Sequence, residues 1–113
     1  MARIDRYEFG RIVVDGSEHT RDVIILPDRV VGNWWRRDGH ALVTEDLRDV
    51  LDELPPHLVL GTGAQGRLRP DPEAIEQLHE HGVTVEALPT EQAVRRYGEL
   101  DPGRTAAALH LTC

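Results

Sequence analysis

Apolar positions in residues 4–26 fall in short β-branched runs, Arg11-Ile12-Val13-Val14 and Asp22-Val23-Ile24-Ile25-Leu26. Between them Asp15-Gly16-Ser17-Glu18-His19 is a cluster of turn formers, so the pattern predicts two strands joined as a hairpin. Pro27-Asp28 ends the second run, and Val30-Val31-Gly32-Asn33-Trp34 has room for a short third strand. At Thr44 the period changes. Leu47, Val50, Leu51 and Leu54 recur at i, i+3, i+4 and i+7, one stripe of a helix. Thr44 serves as its cap, Glu45 and Asp46 sit favourably against the dipole in its first turn, and Pro55-Pro56 stops it.

The second half alternates strand and helix. Leu58–Leu60 reads as a strand. Asp71 caps a helix with Pro72 at its first position, Ile75 and Leu78 facing inward and Gly82 closing it. Val83–Leu88 is the next strand, Thr90 caps a helix carrying Ala93, Val94 and Tyr97, and Thr105–Leu111 is the last strand. A β-α-β-α-β order implies right-handed crossovers and at least one parallel pair. With the N-terminal hairpin added, the fold class is α/β, a mixed β-sheet with packed helices, in one domain over residues 1–113.

Charge and composition narrow the functions. The formal net charge is −7, from 20 acidic and 13 basic residues, a balance that repels nucleic-acid phosphates and anionic membrane surfaces. Trp34-Trp35-Arg36-Arg37 combines stacking with positive charge, as single-strand binders do, but it stands alone and Asp38 follows it. Every basic residue is an arginine, which excludes Schiff-base chemistry on lysine and the lysine of a Walker A loop. Cys113, the only cysteine, has no intramolecular partner, in keeping with a reducing compartment. The charged start Met1–Arg6 does not read as a secretory signal, and no apolar run approaches the ~20 residues of a membrane span. A soluble, cytoplasmic protein with no nucleic-acid or membrane partner is expected.

Gly61-Thr62-Gly63-Ala64-Gln65-Gly66 spells G-x-G-x-x-G after the apolar run 58–60. In a dinucleotide fold the helix begins within that turn, so that its N-terminus meets the pyrophosphate. Here Arg67-Leu68-Arg69-Pro70 intervenes, Glu86 has the spacing of the ribose-binding acid but lies inside a strand, and the expected reading is a tight turn with no cofactor. A narrower alternative survives: parallel strands would bring Gly61-Thr62-Gly63 and Thr90-Glu91 to one edge of the sheet, where a crevice can hold a small anion. Arg36 and His40 would add charge from the loop beyond the hairpin. Thr90 as a plain helix cap explains that residue equally well.

The remaining chemistry is thin. His79 and His81 point about 200° apart on a helix and cannot chelate together, and neither H-E-x-x-H nor a Cys–His cluster occurs, so no metal site is expected. Cys113 with His110 would lie on opposite sides of a strand. Ser17, the only serine, has no nucleophile elbow around it. No carboxylate pair stands out as an acid/base couple, and no catalytic residue is assigned.

Several stretches together resemble the Mth938-domain family: Leu58 to Gly63, Leu78-His79-Glu80-His81-Gly82-Val83-Thr84-Val85, Pro89 to Tyr97, Gly103-Arg104, and Leu109 to Cys113. Trp34 to Arg37 with His40, and Phe9-Gly10 with Asp22, extend the resemblance to nearly the whole chain. It implies a mixed-sheet α/β domain with an added N-terminal antiparallel β-layer. It implies little chemistry: eukaryotic relatives are associated with respiratory complex I assembly or adipocyte differentiation. The function expected is a non-enzymatic protein-interaction or assembly-type module with a protein partner. The alternative is a small-molecule or anion binder, or an enzyme, using Gly61, Thr62, Gly63, Thr90, Glu91, Arg36 and His40.

Overall fold

In the computed structural model, which describes residues 2–113, the chain opens with an antiparallel meander of β1 (Ile4–Glu8), β2 (Arg11–Val14) and β3 (Ser17–His19). The sequence pattern pairs the run 11–14 with 22–26. The structure pairs 11–14 with Ser17–His19 instead, because Asp15 and Gly16 both take positive φ, 49° and 81°, the geometry of a two-residue hairpin turn. The second run, β4 (Val23–Ile25), is thereby released to a different sheet, where β5 (Val30–Val31) pairs with it.

The stripe from Leu47 to Leu54 forms no α-helix. Residues Thr44–Leu47 and Leu51–Glu53 make two 3-10 turns, held by i→i+3 bonds such as Val50 N to Leu47 O at 3.0 Å and Glu53 N to Val50 O at 2.8 Å. Asp46, Asp49 and Asp52 are weak helix formers, and the Asp46 carboxylate is drawn out to the amides of Val43 and Arg37. Thr44 does not cap; its hydroxyl contacts Gln77. The stripe still buries Leu47 and Val50, since residues three apart share a face in either helix.

Two short strands unforeseen from the sequence, β6 (Ala41–Leu42) and β8 (Arg69–Pro70), pair in parallel around β7 (His57–Gly61) in the chain order. Then follow α1 (Pro72–Glu80), β9 (Thr84–Leu88), α2 (Thr90–Glu99) and β10 (Thr105–Leu109). Asp71 caps α1 as expected, accepting from Glu73 N at 3.1 Å. The main sheet has the order β5-β4-β10-β7-β9, with β10, β7 and β9 parallel and β4 antiparallel to β10.

The crossover through α1 steps outward and the one through α2 steps back over β7, so right-handedness sends the helices to opposite faces. The strand pleat divides the core accordingly. Leu58, Leu60, Ala106 and Ala108 meet Leu78 of α1, Trp34, Leu47 and Val50. Val59, Ala107 and Leu109 meet Ala93 and Tyr97 of α2 and, from the meander, Ile12 and Val14. The last strand in the chain is the central strand of the sheet. Its residues Ala106, Ala107 and Ala108 are fully buried, small enough for both layers to close on it.

Candidate functional site

Parallel pairing brings the ends of β7 and β9 to one edge, and with them Gly61-Thr62-Gly63 and Thr90. Thr62 N donates to Leu88 O at 2.9 Å and Thr90 N to Gly63 O at 3.1 Å. Pro89, not Thr90, precedes α2 as its cap residue. The buried Thr90 hydroxyl instead accepts from Gly63 N at 2.8 Å and donates to His110 O at 2.6 Å. Segment 110–113, which the pattern places partly in the last strand, leaves the sheet after Leu109 and runs across this turn. Ala64 N donates to Thr112 O at 2.7 Å, and Gly66 N to Gly63 O at 3.2 Å. The amides of residues 62, 63, 64, 66 and 90 are thus all engaged by the chain itself.

Glycine is required here for the same reason. Gly63 has φ 101°, and a Cβ on it would lie 2.6 Å from the Cys113 carbonyl oxygen and 2.9 Å from Cδ2 of His110. Glu91 is exposed on α2, paired with Arg95 at 2.6 Å. His40 is exposed in its own loop, where its carbonyl accepts from Arg69 N at 3.0 Å. The structure therefore brings Gly61, Thr62, Gly63 and Thr90 together, and turns the Glu91 and His40 side chains to solvent.

Arg36 is drawn inward to a different partnership. The register that pairs Leu109 with Val23 places Asp22 and His110 beside each other at the ends of neighbouring antiparallel strands. Asp22 Oδ2 is 2.8 Å from His110 Nδ1 and accepts from Arg36 Nη1 at 2.8 Å, while Oδ1 accepts from Leu111 N at 2.8 Å. The side chains of Arg36, His110 and Asp22 are only 4%, 9% and 15% exposed. Burial pushes the Asp22 carboxyl up, but the hydrogen bonds from His110, the Leu111 amide and Arg36 outweigh it and hold it below its ordinary value. The Arg36 guanidinium also lies 4.7 Å over the Trp34 ring. In the sequence His110 is weighed only beside Cys113 and Asp22 only within the family resemblance, because their meeting depends on a strand register that only the fold supplies.

Between the buried residues Trp34 and Arg36, Trp35 points outward and is 76% exposed. Trp34 is anchored twice, through Nε1 to Asp46 O at 2.9 Å and through its amide to Asp22 O at 2.8 Å. Trp35 borders a groove of about 420 Å³, lined by the nearly buried Ile24, Trp34, Leu47 and Val50 and by the charged Arg37, Glu45, Asp46, Arg48 and Asp49. Among the described residues no cluster of three or more His, Cys, Asp or Glu side chains is placed to hold a metal ion.

Residues 4–110 match a family described as a protein of unknown function, DUF498/DUF598. The chain is similar to a conserved hypothetical protein from Pyrococcus horikoshii, with 30% identity, 98% of this chain and 99% of that one covered, and a TM-score of 0.82. It is similar to an outer membrane protein from Bartonella henselae, with 27% identity, 99% and 96% covered, and a TM-score of 0.82. A Mth938-like domain from Bordetella pertussis, 24% identical over 96% of this chain and 85% of that one, shares the fold with a TM-score of 0.78. Among the described residues no helix is long and apolar enough to cross a membrane.

Proposed function

The chain belongs to the DUF498/DUF598 family of proteins of unknown function, with the Mth938-like fold, and from that premise we propose that it is a soluble, cytoplasmic protein-interaction or assembly-type module. Its contact face is the Trp34–Arg37 loop with the adjoining groove. The observation that carries this reading is Trp35, an indole 76% exposed beside a groove of mixed apolar and charged lining. Tryptophan left in water forgoes a large burial gain, and it is among the side chains that dominate binding energy at interfaces.

The neighbours of Trp35 strengthen the case. A flexible loop loses entropy when it is ordered at an interface, about 0.5–1.5 kcal/mol for each immobilised side chain. Here Trp34 and Arg36 fix the backbone on both sides of Trp35, through Asp46 and Asp22. The backbone at Trp35 is already held, so ordering the loop adds little cost on binding and only the indole's own rotamers remain to be fixed.

The test is site-specific photo-cross-linking in the cells that make the protein, with the photoreactive residue at position 35 or, as a control, at position 9. Among the described residues Phe9 is the other exposed large hydrophobic, 63% exposed. One dominant adduct from position 35, identified by mass spectrometry and absent from position 9, is the expected outcome. No adduct, or the same adducts from both positions, overturns the proposal.

A further inference from the structure

We infer that the Trp34–Arg36 loop and segment 110–113 open and close as one unit latched at Asp22, so that the turn at residues 61–66 governs how firmly Trp35 is held. The value of this to a partner rests on the interaction reading above; the coupling stands on the cluster alone. Asp22 Oδ2 lies 2.8 Å from both Arg36 Nη1 and His110 Nδ1, and Oδ1 accepts from Leu111 N at 2.8 Å. At its far end segment 110–113 is tied to the turn. There Ala64 N donates to Thr112 O at 2.7 Å, and the Cys113 carbonyl stands where a Cβ on Gly63 would begin. Lifting the segment from the turn therefore pulls on the carboxylate that holds the loop. Withdrawal of Arg36 alone would leave Asp22 largely buried without its guanidinium, a costly intermediate, whereas withdrawal of both segments lets water reach the carboxylate. Joint opening is favoured over either step alone.

The closed latch is under-satisfied in three places. His110 Nδ1 lies 2.8 Å from Asp22 Oδ2 and also 3.1 Å from Arg36 Nη2. A ring nitrogen carries either a proton or a lone pair. With the proton it donates to Asp22 and sets its hydrogen against those of the guanidinium. With the lone pair it accepts from Arg36 and sets that lone pair against the carboxylate oxygen. Either way one contact is unfavourable. On the same two side chains, His110 Nε2 and Arg36 Nε are buried and have no hydrogen-bond partner among the described residues. Buried polar networks stabilise a fold when every member is paired, and each bare member costs free energy that water returns once the group is exposed. Opening this unit therefore costs less than its Asp22 bonds alone would suggest, which places it among the segments that open locally while the rest of the fold stays closed.

Native-state hydrogen exchange of the full chain, read residue by residue by NMR, tests this. The Ala64 and Leu111 amides report on the segment, and the Trp34 amide, which donates to Asp22 O at 2.8 Å, reports on the loop. In the wild type, over a urea series, the three should share one opening free energy and one urea slope, both below those of the central strands. Gly63→Ala acts from the segment side, since its methyl meets Cys113 and His110. It should quicken Ala64 and Leu111 about 10-fold or more, and Trp34 by the same factor. Arg36→Met acts from the loop side and should quicken all three together. Gly82→Ala, with nothing within 4 Å of its methyl, should leave them unchanged, because they exchange without global unfolding. Separate urea slopes in the wild type, or Trp34 unchanged in Gly63→Ala while Ala64 quickens, overturns the inference. So does exchange of all three at the rate of the central strands. If the three move together but position 35 yields no specific adduct, the contact reading fails and the latch stands; independent exchange alongside a specific adduct is the reverse.

Discussion

Gly63 meets two separate demands, a φ of 101° and the contact of Cys113 and His110 where a side chain would begin. Gly82, after α1, meets only the first, with φ 80° and nothing within 4 Å of the position a Cβ would take. Comparing them separates backbone strain from steric conflict. Gly82→Ala is expected to cost about 1–2 kcal/mol, the penalty of left-handed geometry for a residue with a side chain. Gly63→Ala should cost a further ~1–3 kcal/mol, because segment 110–113 must shift away from its hydrogen bonds. Denaturant midpoints of the two variants measure the difference, and equal losses would mean that the segment yields freely. The tightness of the turn was legible in its glycines. What lies on it was not, because nothing local to residues 61–66 tells that a segment more than forty residues later will lie across it and take up the Ala64 amide.

Among the elements, the two crossover helices and β9 were readable because their signals are local: Asp71 with Pro72 at the start of α1, Gly82 after it, and a buried face in each helix. The region 44–54 misled because its apolar spacing suits a 3-10 turn as well as an α-helix, and three aspartates decide between them. The Asp22 clamp belongs to this scale too, since it fastens β4, the Trp34–Arg36 loop and segment 110–113 at one carboxylate. Its folded pKa is lowered, so its contribution is complete above the ~3.9 of an unfolded aspartate and is lost as pH falls below that value through the folded pKa. Asp22→Asn should therefore be less stable at neutral pH, by about 2–3 kcal/mol. The gap between variant and wild type should close on acidification through that window. Urea titrations of both proteins at several pH values check it, and a gap constant down to strongly acid pH would deny the carboxylate this role. Exposed pairs such as Arg29–Glu53 contribute little and cancel in the comparison.

For the whole molecule, the decisive arrangement is the strand order β5-β4-β10-β7-β9. Alternating strands and helices made a mixed sheet legible, but not that its middle would be filled by the last strand, with β4 from the first quarter of the chain on one side and β7 on the other. This has a consequence for assembly of the protein during synthesis. Until residues 105–109 leave the ribosome, β4 and β7 have no strand between them, and the apolar faces of both halves stand open to water. Pairs so distant in sequence form late and slowly. A fragment ending at residue 104 is expected to give no cooperative melting transition by circular dichroism, where the intact chain gives one. The sheet is thus a construction whose keystone is the last of its five strands to be made, and until it arrives β4 and β7 leave open edges on which unfinished chains can aggregate.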